Sequence, residues 1–290
     1  MTTPTTPPTP SAPQQQQPAP APQAAPAGFY TSPIPVRRAT LGDAIASEWT
    51  KIRSVRSTMW TLGVMIVLLL GIGLLAAVAI DSSDSDLGST PVLSLGFFGV
   101  LLGSICVITL GVMTIASEYG TGMIRTTLTA CPSRARVLSA KAIVFFLITF
   151  VITTLTTALV GVLQTALIDS AAPSGDEWLR ATVGVGLYIA ALGLLSLAVG
   201  ALIRHSAGAI TIMIGVVLLP LVLAMFMFAD SLNDLRMALF EYSIPNQLSA
   251  FYSTSVAESG PSGWDPLWIM LGVSAVALLG AYASLDRRDV

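Results

Sequence analysis

Six long apolar runs, at residues 60–80, 92–116, 140–168, 182–203, 207–229 and 267–285, constrain what this chain can fold into more than anything else in it. A helix rises about 1.5 Å per residue, so about 20 apolar residues cross a hydrocarbon layer roughly 30 Å thick. Within lipid every backbone donor and acceptor has to be satisfied inside the chain, which predicts helices for runs of this length. The expected fold class is therefore all-α integral membrane with six transmembrane helices. Composition agrees, since 10% of the residues are charged where soluble domains carry about 25%. The third run exceeds the length needed, which predicts tilt or projection beyond the membrane.

Orientation follows from the basic residues. With both termini in the cytosol, the inner segments hold Arg37, Arg38, Lys51, Arg53, Arg56, Arg125, Arg134, Arg136, Lys141, Arg204, Arg287 and Arg288, which is 12 of the 14. Only Arg180 and Arg236 fall outside, as the positive-inside rule requires. Of the 16 acidic residues, 11 fall outside, among them Asp84, Asp86 and Glu258. Trp60 lies at the inner end of its span, and Trp178, Trp264 and Trp268 lie near outer ends, where an aromatic belt belongs. No arginine or lysine precedes Arg37, so the N-terminus lacks the charged region of a signal peptide.

Residues 1–37 differ in kind. The first 36 hold 11 of the 18 prolines, four consecutive glutamines and no charge, which predicts a disordered Pro/Gln/Ala-rich cytosolic tail ahead of a domain over 38–290. From Arg38 to Met59, Leu41, Ile45, Trp49, Ile52, Val55 and Met59 recur at helical steps, and Thr40 with Asp43 forms a capping box. Lys51, Arg53 and Arg56 near its end predict an elbow lying in the headgroup plane. A basic anchor without a specific partner fits the same residues.

Ser117–Lys141, SEYGTGMIRTTLTACPSRARVLSAK, is a polar, basic interruption between two spans. Gly120 and Gly122 are expected to break the preceding helix, because glycine costs about 1 kcal/mol per helical position relative to alanine. Met123–Ala130 then makes a short helix, with Met123, Ile124 and Leu128 grouped on one side and Arg125 beside them. Pro132 stops it, and Ser133 is positioned to cap the next helix. Two readings stand open: a solvated basic loop, or a docking helix for a cytosolic partner. Within the long outer segment 230–266, Ser231 is expected to cap a small helix through Phe240 and Pro245 to break the chain, as a partly re-entrant hairpin or a plain surface loop.

The residues offer little chemistry. No ionisable side chain lies in the central part of any span, which weighs against proton-coupled antiport and intramembrane proteolysis but leaves sodium sites built from backbone carbonyls open. His205 is the single histidine and is expected to face solvent or headgroups. Cys106 and Cys131 have neither metal nor disulfide spacing. No catalytic, cofactor or metal residue is expected. Neither lysine follows a glycine, so the phosphate-binding G-x-x-x-x-G-K-[ST] is absent, and any nucleotide hydrolysis falls to another chain. Gly99 and Gly103, with Gly96, Gly111, Gly184, Gly193 and Gly200, predict close helix packing. Thr149, Thr153, Thr154, Thr156 and Thr157 predict hydrogen bonds across helix contacts.

EWTKIRSVRSTMW before the first span, SEYGTGMIRTTL with PSRARVLSAKA, VGALIRHSAGAI, YSIPNQ and LDRRDV resemble, in that order, segments of ABC-2 type permeases of actinobacteria. The resemblance covers roughly residues 40–290; Cys131 stands where an aliphatic residue is expected. It implies the transmembrane half of an ATP-binding-cassette exporter in a bacterial plasma membrane, with two permease copies, homomeric or heteromeric, on two separate ATPase subunits. ATP and magnesium would bind only in those subunits. Membrane lipid would be a partner and nucleic acid would not. Glu118, Gly120, Thr121, Gly122, Met123, Ile124, Arg125 and Leu128 would form the coupling helix seated on the ATPase, beside an elbow marked by Glu48, Trp49, Lys51, Arg53 and Arg56. The implied cargo is a hydrophobic or amphipathic molecule, since the spans offer no charge for an ion. Two other functions fit the residues: a non-transporting anchor or immunity protein that recruits a cytosolic partner, and an ion-coupled secondary transporter.

Overall fold

The computed structural model describes residues 39–83, 88, 90–254 and 259–287. The expected tail lies outside the described residues, as do Arg37, Arg38, Asp84, Asp86, Glu258 and Arg288 of the charge pattern. Helix α1 (Leu41–Ser54) starts at the expected capping box, in which Thr40 accepts from the Asp43 N–H and the Asp43 carboxylate accepts from the Thr40 N–H. Val55 then turns extended, with φ −83° and ψ 110°, and α2 (Arg56–Ser82) follows. The amphipathic helix therefore ends at Ser54 instead of running to Met59, which belongs to the first span. The change of helix direction falls on a β-branched residue, for which extended backbone is favourable.

A 3₁₀ turn at Val92–Gly96 leads into α3 (Phe97–Gly120), followed by the short α4 (Met123–Ala130) and the long α5 (Arg134–Leu167). Ser133 caps α5 by accepting from the Arg136 N–H. The fourth span begins at Gly175 instead of 182, because a second capping box between Ser174 and Glu177 starts α6 (Gly175–Leu179) there. One π turn at Arg180–Gly184 carries it into α7 (Val185–Ile203), and α8 (Ser206–Phe226) follows. The chain closes with α9 (Asn233–Glu241), α10 (Ile244–Ala250) and α11 (Asp265–Arg287). Among the described residues, six helical runs are long and apolar enough to cross a membrane: 56–82, 92–120, 134–167, 175–203, 206–226 and 265–287.

Helix α7 is the centre of the bundle, packed against α3, α5, α8 and α11. Its Tyr188, Leu192 and Leu197 are fully buried. Close approach depends on glycine at two places. A Cβ on Gly111 of α3 would stand 2.5 Å from the Gly193 carbonyl of α7, and one on Gly99 would stand 3.0 Å from the Leu69 carbonyl of α2. The G-x-x-x-G at Gly99 and Gly103 thus joins two spans of this chain. The threonines of α5 behave differently from expectation: the Thr156 and Thr157 hydroxyls donate to Ile152 and Thr153 carbonyls of their own helix. Crossing hydrogen bonds come instead from Gln164 to the Gly73 carbonyl, at 3.0 Å, and from Ser274 to the Ala191 carbonyl, at 2.8 Å.

Arg136 donates to the Ala39 carbonyl and Arg134 to the Leu285 carbonyl, so the start of α1 and the end of α11 lie at one end of the bundle. At the other end, a 3₁₀ turn at Asp230–Leu232 precedes α9, with no side-chain cap from Ser231. Pro245 does not break the chain; it opens α10 behind the cap of Ser243, because the first helical turn needs no N–H from that residue. All seven residues of α10 are buried, which makes this segment part of the interior instead of a surface loop. Phe251 after it packs on Tyr188 and Trp264, with ring centroids 5.6 and 6.4 Å away.

Candidate functional site

The end of the bundle that holds Ala39 and Leu285 carries a cluster of four charges. Lys141, in the second turn of α5, is 1% exposed. Its ammonium donates to Glu118 Oε1 at 2.7 Å, Glu48 Oε2 at 3.0 Å and the Thr114 carbonyl at 3.2 Å. Lys51 donates to Glu48 Oε1 at 2.7 Å and Glu118 Oε1 at 2.8 Å. Glu48 and Lys51 share a face of α1 because they stand three residues apart, and Thr114 and Glu118 share a face of α3 because they stand four apart. Both lysines of the protein and two of its glutamates meet here, with no net charge. A buried ammonium is stable only when its hydrogen-bonding capacity is met and its charge is paired, and Lys141 meets both conditions. Burial pulls the Lys51 ammonium down, but hydrogen bonds to Glu118 and Glu48 and their charges outweigh it, holding its pKa above the ordinary 10.5.

These contacts tie α1, α3 and α5 together directly under α4. Helix α3 runs through Gly120, and the break comes at Gly122, whose φ of +73° is left-handed backbone that glycine adopts without a Cβ clash. In α4, Met123 is 49% exposed while Ile124 is 5% exposed. Consecutive residues on a helix point about 100° apart, so the two do not share one apolar face. Ile124 anchors α4 to the bundle; Met123, Arg125 and Thr126 face outward with Gly120, Thr121 and Gly122, and Leu128 is half-buried. Of the residues expected to mark the elbow, Trp49 and Arg53 on α1 and Arg56, the first residue of α2, are exposed, whereas Glu48 is buried and Lys51 pairs with the carboxylates.

Beside the four charges lies a cavity of about 220 Å³ lined by α1, α2, α3 and α5, and also by Thr121 and by Met123 of α4. Arg204, in left-handed backbone with φ 58°, places its guanidinium 4.9 Å from the Tyr119 ring centre. His205 caps α8, its Nδ1 accepting from the Gly208 N–H at 3.1 Å, a structural role the sequence reading did not assign. Among the described residues no group of His, Cys, Asp or Glu is arranged to hold a metal ion. Cys131 is buried and Cys106 half-buried, both as free thiols.

Linear order does not bring the cluster together: it sets Lys141 at the end of a basic loop and Glu118 in an expected partner contact. The available signal was a lysine entering an apolar run at SAKAIVFF, an acid leaving one at IASEY, and a Glu-x-x-Lys on the elbow. The family model for the ABC-2 family transporter protein matches residues 44–229, a span that contains all four charged residues and α4. No curated protein matches the chain.

Proposed function

The chain belongs to the ABC-2 transporter family, and on that premise we propose that it is the transmembrane permease subunit of an ATP-binding-cassette exporter. Two permease copies work with a separate ATPase, which binds ATP and magnesium. The assembly sits in the bacterial plasma membrane with both termini cytosolic, and its cargo is a hydrophobic or amphipathic molecule. The observation that carries this reading is α4: eight residues, presented outward by Met123 and Arg125, and locked underneath by Ile124 and by the charges that join its flanking helices to the elbow. A helix this short is not stable alone and depends on its supports. Motion imposed on it by closure of an ATPase passes into α3 and α5 through two short turns. With α1 clamped to the same helices, elbow and coupling element move as one body.

The contact residues in this reading are Thr121, Met123, Arg125 and the part of Leu128 left exposed, with Glu118 and Ile124 acting beneath them. The test is co-purification of the ATPase and its hydrolysis with Met123→Asp and Arg125→Glu together. Burying one large aliphatic side chain contributes about 1.5–3 kcal/mol, so the double variant loses co-purification and permease-stimulated hydrolysis at least about tenfold, with an unchanged Tm for the permease. Full co-purification and full stimulated hydrolysis would show that α4 is not the contact.

A further inference from the structure

The cavity beside the four charges is built as a ligand site. Lys141 spends its three N–H groups on Glu48, Glu118 and the Thr114 carbonyl, and Glu48 uses both oxygens. Glu118, which lines the cavity, differs: Oε1 accepts from both lysines, while Oε2 has no hydrogen-bond partner and is covered, so a ligand in the cavity reaches it when the Glu118 carboxylate turns. Lys51, also lining it, donates two hydrogen bonds and carries a third N–H. The rest of the wall is mainly apolar, with Leu62, Phe145 and Ile148, and carries the Thr58 and Thr149 side chains one turn away on the same helix faces.

We propose that this cavity binds an uncharged, hydroxyl-bearing amphipathic molecule, whose hydroxyl donates to Glu118 Oε2 and accepts from Lys51 while its apolar body lies along Leu62, Phe145 and Ile148. A hydroxyl satisfies both requirements through a single atom, where a carboxamide needs two. An ammonium donates but cannot accept, and a carboxylate accepts but cannot donate. Charge selects the same way, because the two lysines and two glutamates already sum to zero and a charged head would leave a net charge in a largely buried site. The site lies between elbow, first, second and third spans, so occupancy would be sensed by the helices that carry α4. This goes beyond the transport reading, and binding is measured on the permease without its ATPase, so the two stand or fall separately.

The experiment measures equilibrium binding of 1-decanol, decylamine and decanoate, matched in chain length, to the permease in phosphatidylcholine nanodiscs. Decanol is expected to bind at least about tenfold tighter than the other two, the ratio one well-made hydrogen bond supports. Glu118→Gln, which puts an amide in place of the accepting carboxylate, should lose about tenfold for decanol. Thr149→Phe, which fills the cavity without touching an ion pair, should weaken all three. Adding diacylglycerol to the nanodiscs separates the sources of the hydroxyl: competition with decanol assigns the site to a lipid, and no competition to a free molecule. Equal binding of the three probes to the wild type overturns the proposal even if a variant fails to fold. Undiminished decanol binding by a folded Thr149→Phe overturns it as well.

Discussion

At the end of the bundle that holds Ala39 and Leu285, four charged side chains from α1, α3 and α5 do the joining; at the opposite end α10, which carries no charge, is buried along its whole length. Helix α10 meets most of its polar needs locally, with one longer reach from the Tyr188 hydroxyl to Gln247 Oε1. Asn246 donates to the Glu241 carbonyl and Gln247 to the Tyr242 carbonyl, five residues back in each case, while Leu248 and Phe251 fill the interior. The charged end does the reverse, joining residues 67 and 93 positions apart through a few atoms and leaving a cavity beside them. Packing spreads its energy over many contacts and tolerates partial loss. A buried charge cluster concentrates it, so that removing one member strands the others. Stability at the end that joins α4 thus rests on fewer atoms than at α10.

Breaking the cluster at its hub gives the largest expected effect. Lys141→Met leaves Glu48 and Glu118 to share Lys51 alone, and removal of one partner from a buried ion pair costs about 3–5 kcal/mol. The measurement is unfolding of the purified protein, with proteolysis at α1 as a second readout of elbow release. Adding Glu118→Met to the same protein should recover part of that loss, because Lys51 and Glu48 then remain as a neutral pair. A double variant less stable than the single would show that unpaired charge is not the source of the cost.

A smaller loss is expected at α10. Leu248→Ala removes a fully buried side chain from α10 and should cost roughly 2–4 kcal/mol through lost burial and the cavity left behind. It should leave the elbow's protease resistance unchanged, since α1 and α10 share no contact of note. Elbow release by this change would mean that the two ends are coupled through α7 and are not independent.

The smallest effect is the pH dependence of the Lys51 contact, which is a third exposed and therefore screened. Its pKa is raised in the folded protein, so its contribution is complete below the unfolded value of 10.5 and is lost as pH rises through the folded one. The Tm difference between wild type and Lys51→Met should stay constant from neutral pH to about 10.5 and shrink above it. A difference that instead grows with rising pH would place the stabilisation on a group other than the Lys51 ammonium.

Local pattern determined much of this protein. Runs of apolar residues long enough for a bilayer, the Thr40–Asp43 cap, the stop at Pro132 and the short helix Met123–Ala130 are all short-range signals, decided within a few helical turns. What only the tertiary structure decided is which residues face one another. The same periodicity that marked Met123 and Ile124 as one apolar group leaves one outside and one inside, because neighbouring helices, not spacing, set the buried side. Hydropathy likewise gave α10 no special status, because its asparagine and glutamine read as surface residues; carbonyls five residues back satisfy their amide N–H groups, and the Tyr188 hydroxyl of α7 reaches Gln247 only in the packed bundle. Glu48, Lys51, Glu118 and Lys141 look like surface charges in a linear reading. Their pairing exists because α7 at the centre arranges the spans so that α1, α3 and α5 meet at one end, and a buried charge is tolerated only where its partners already stand.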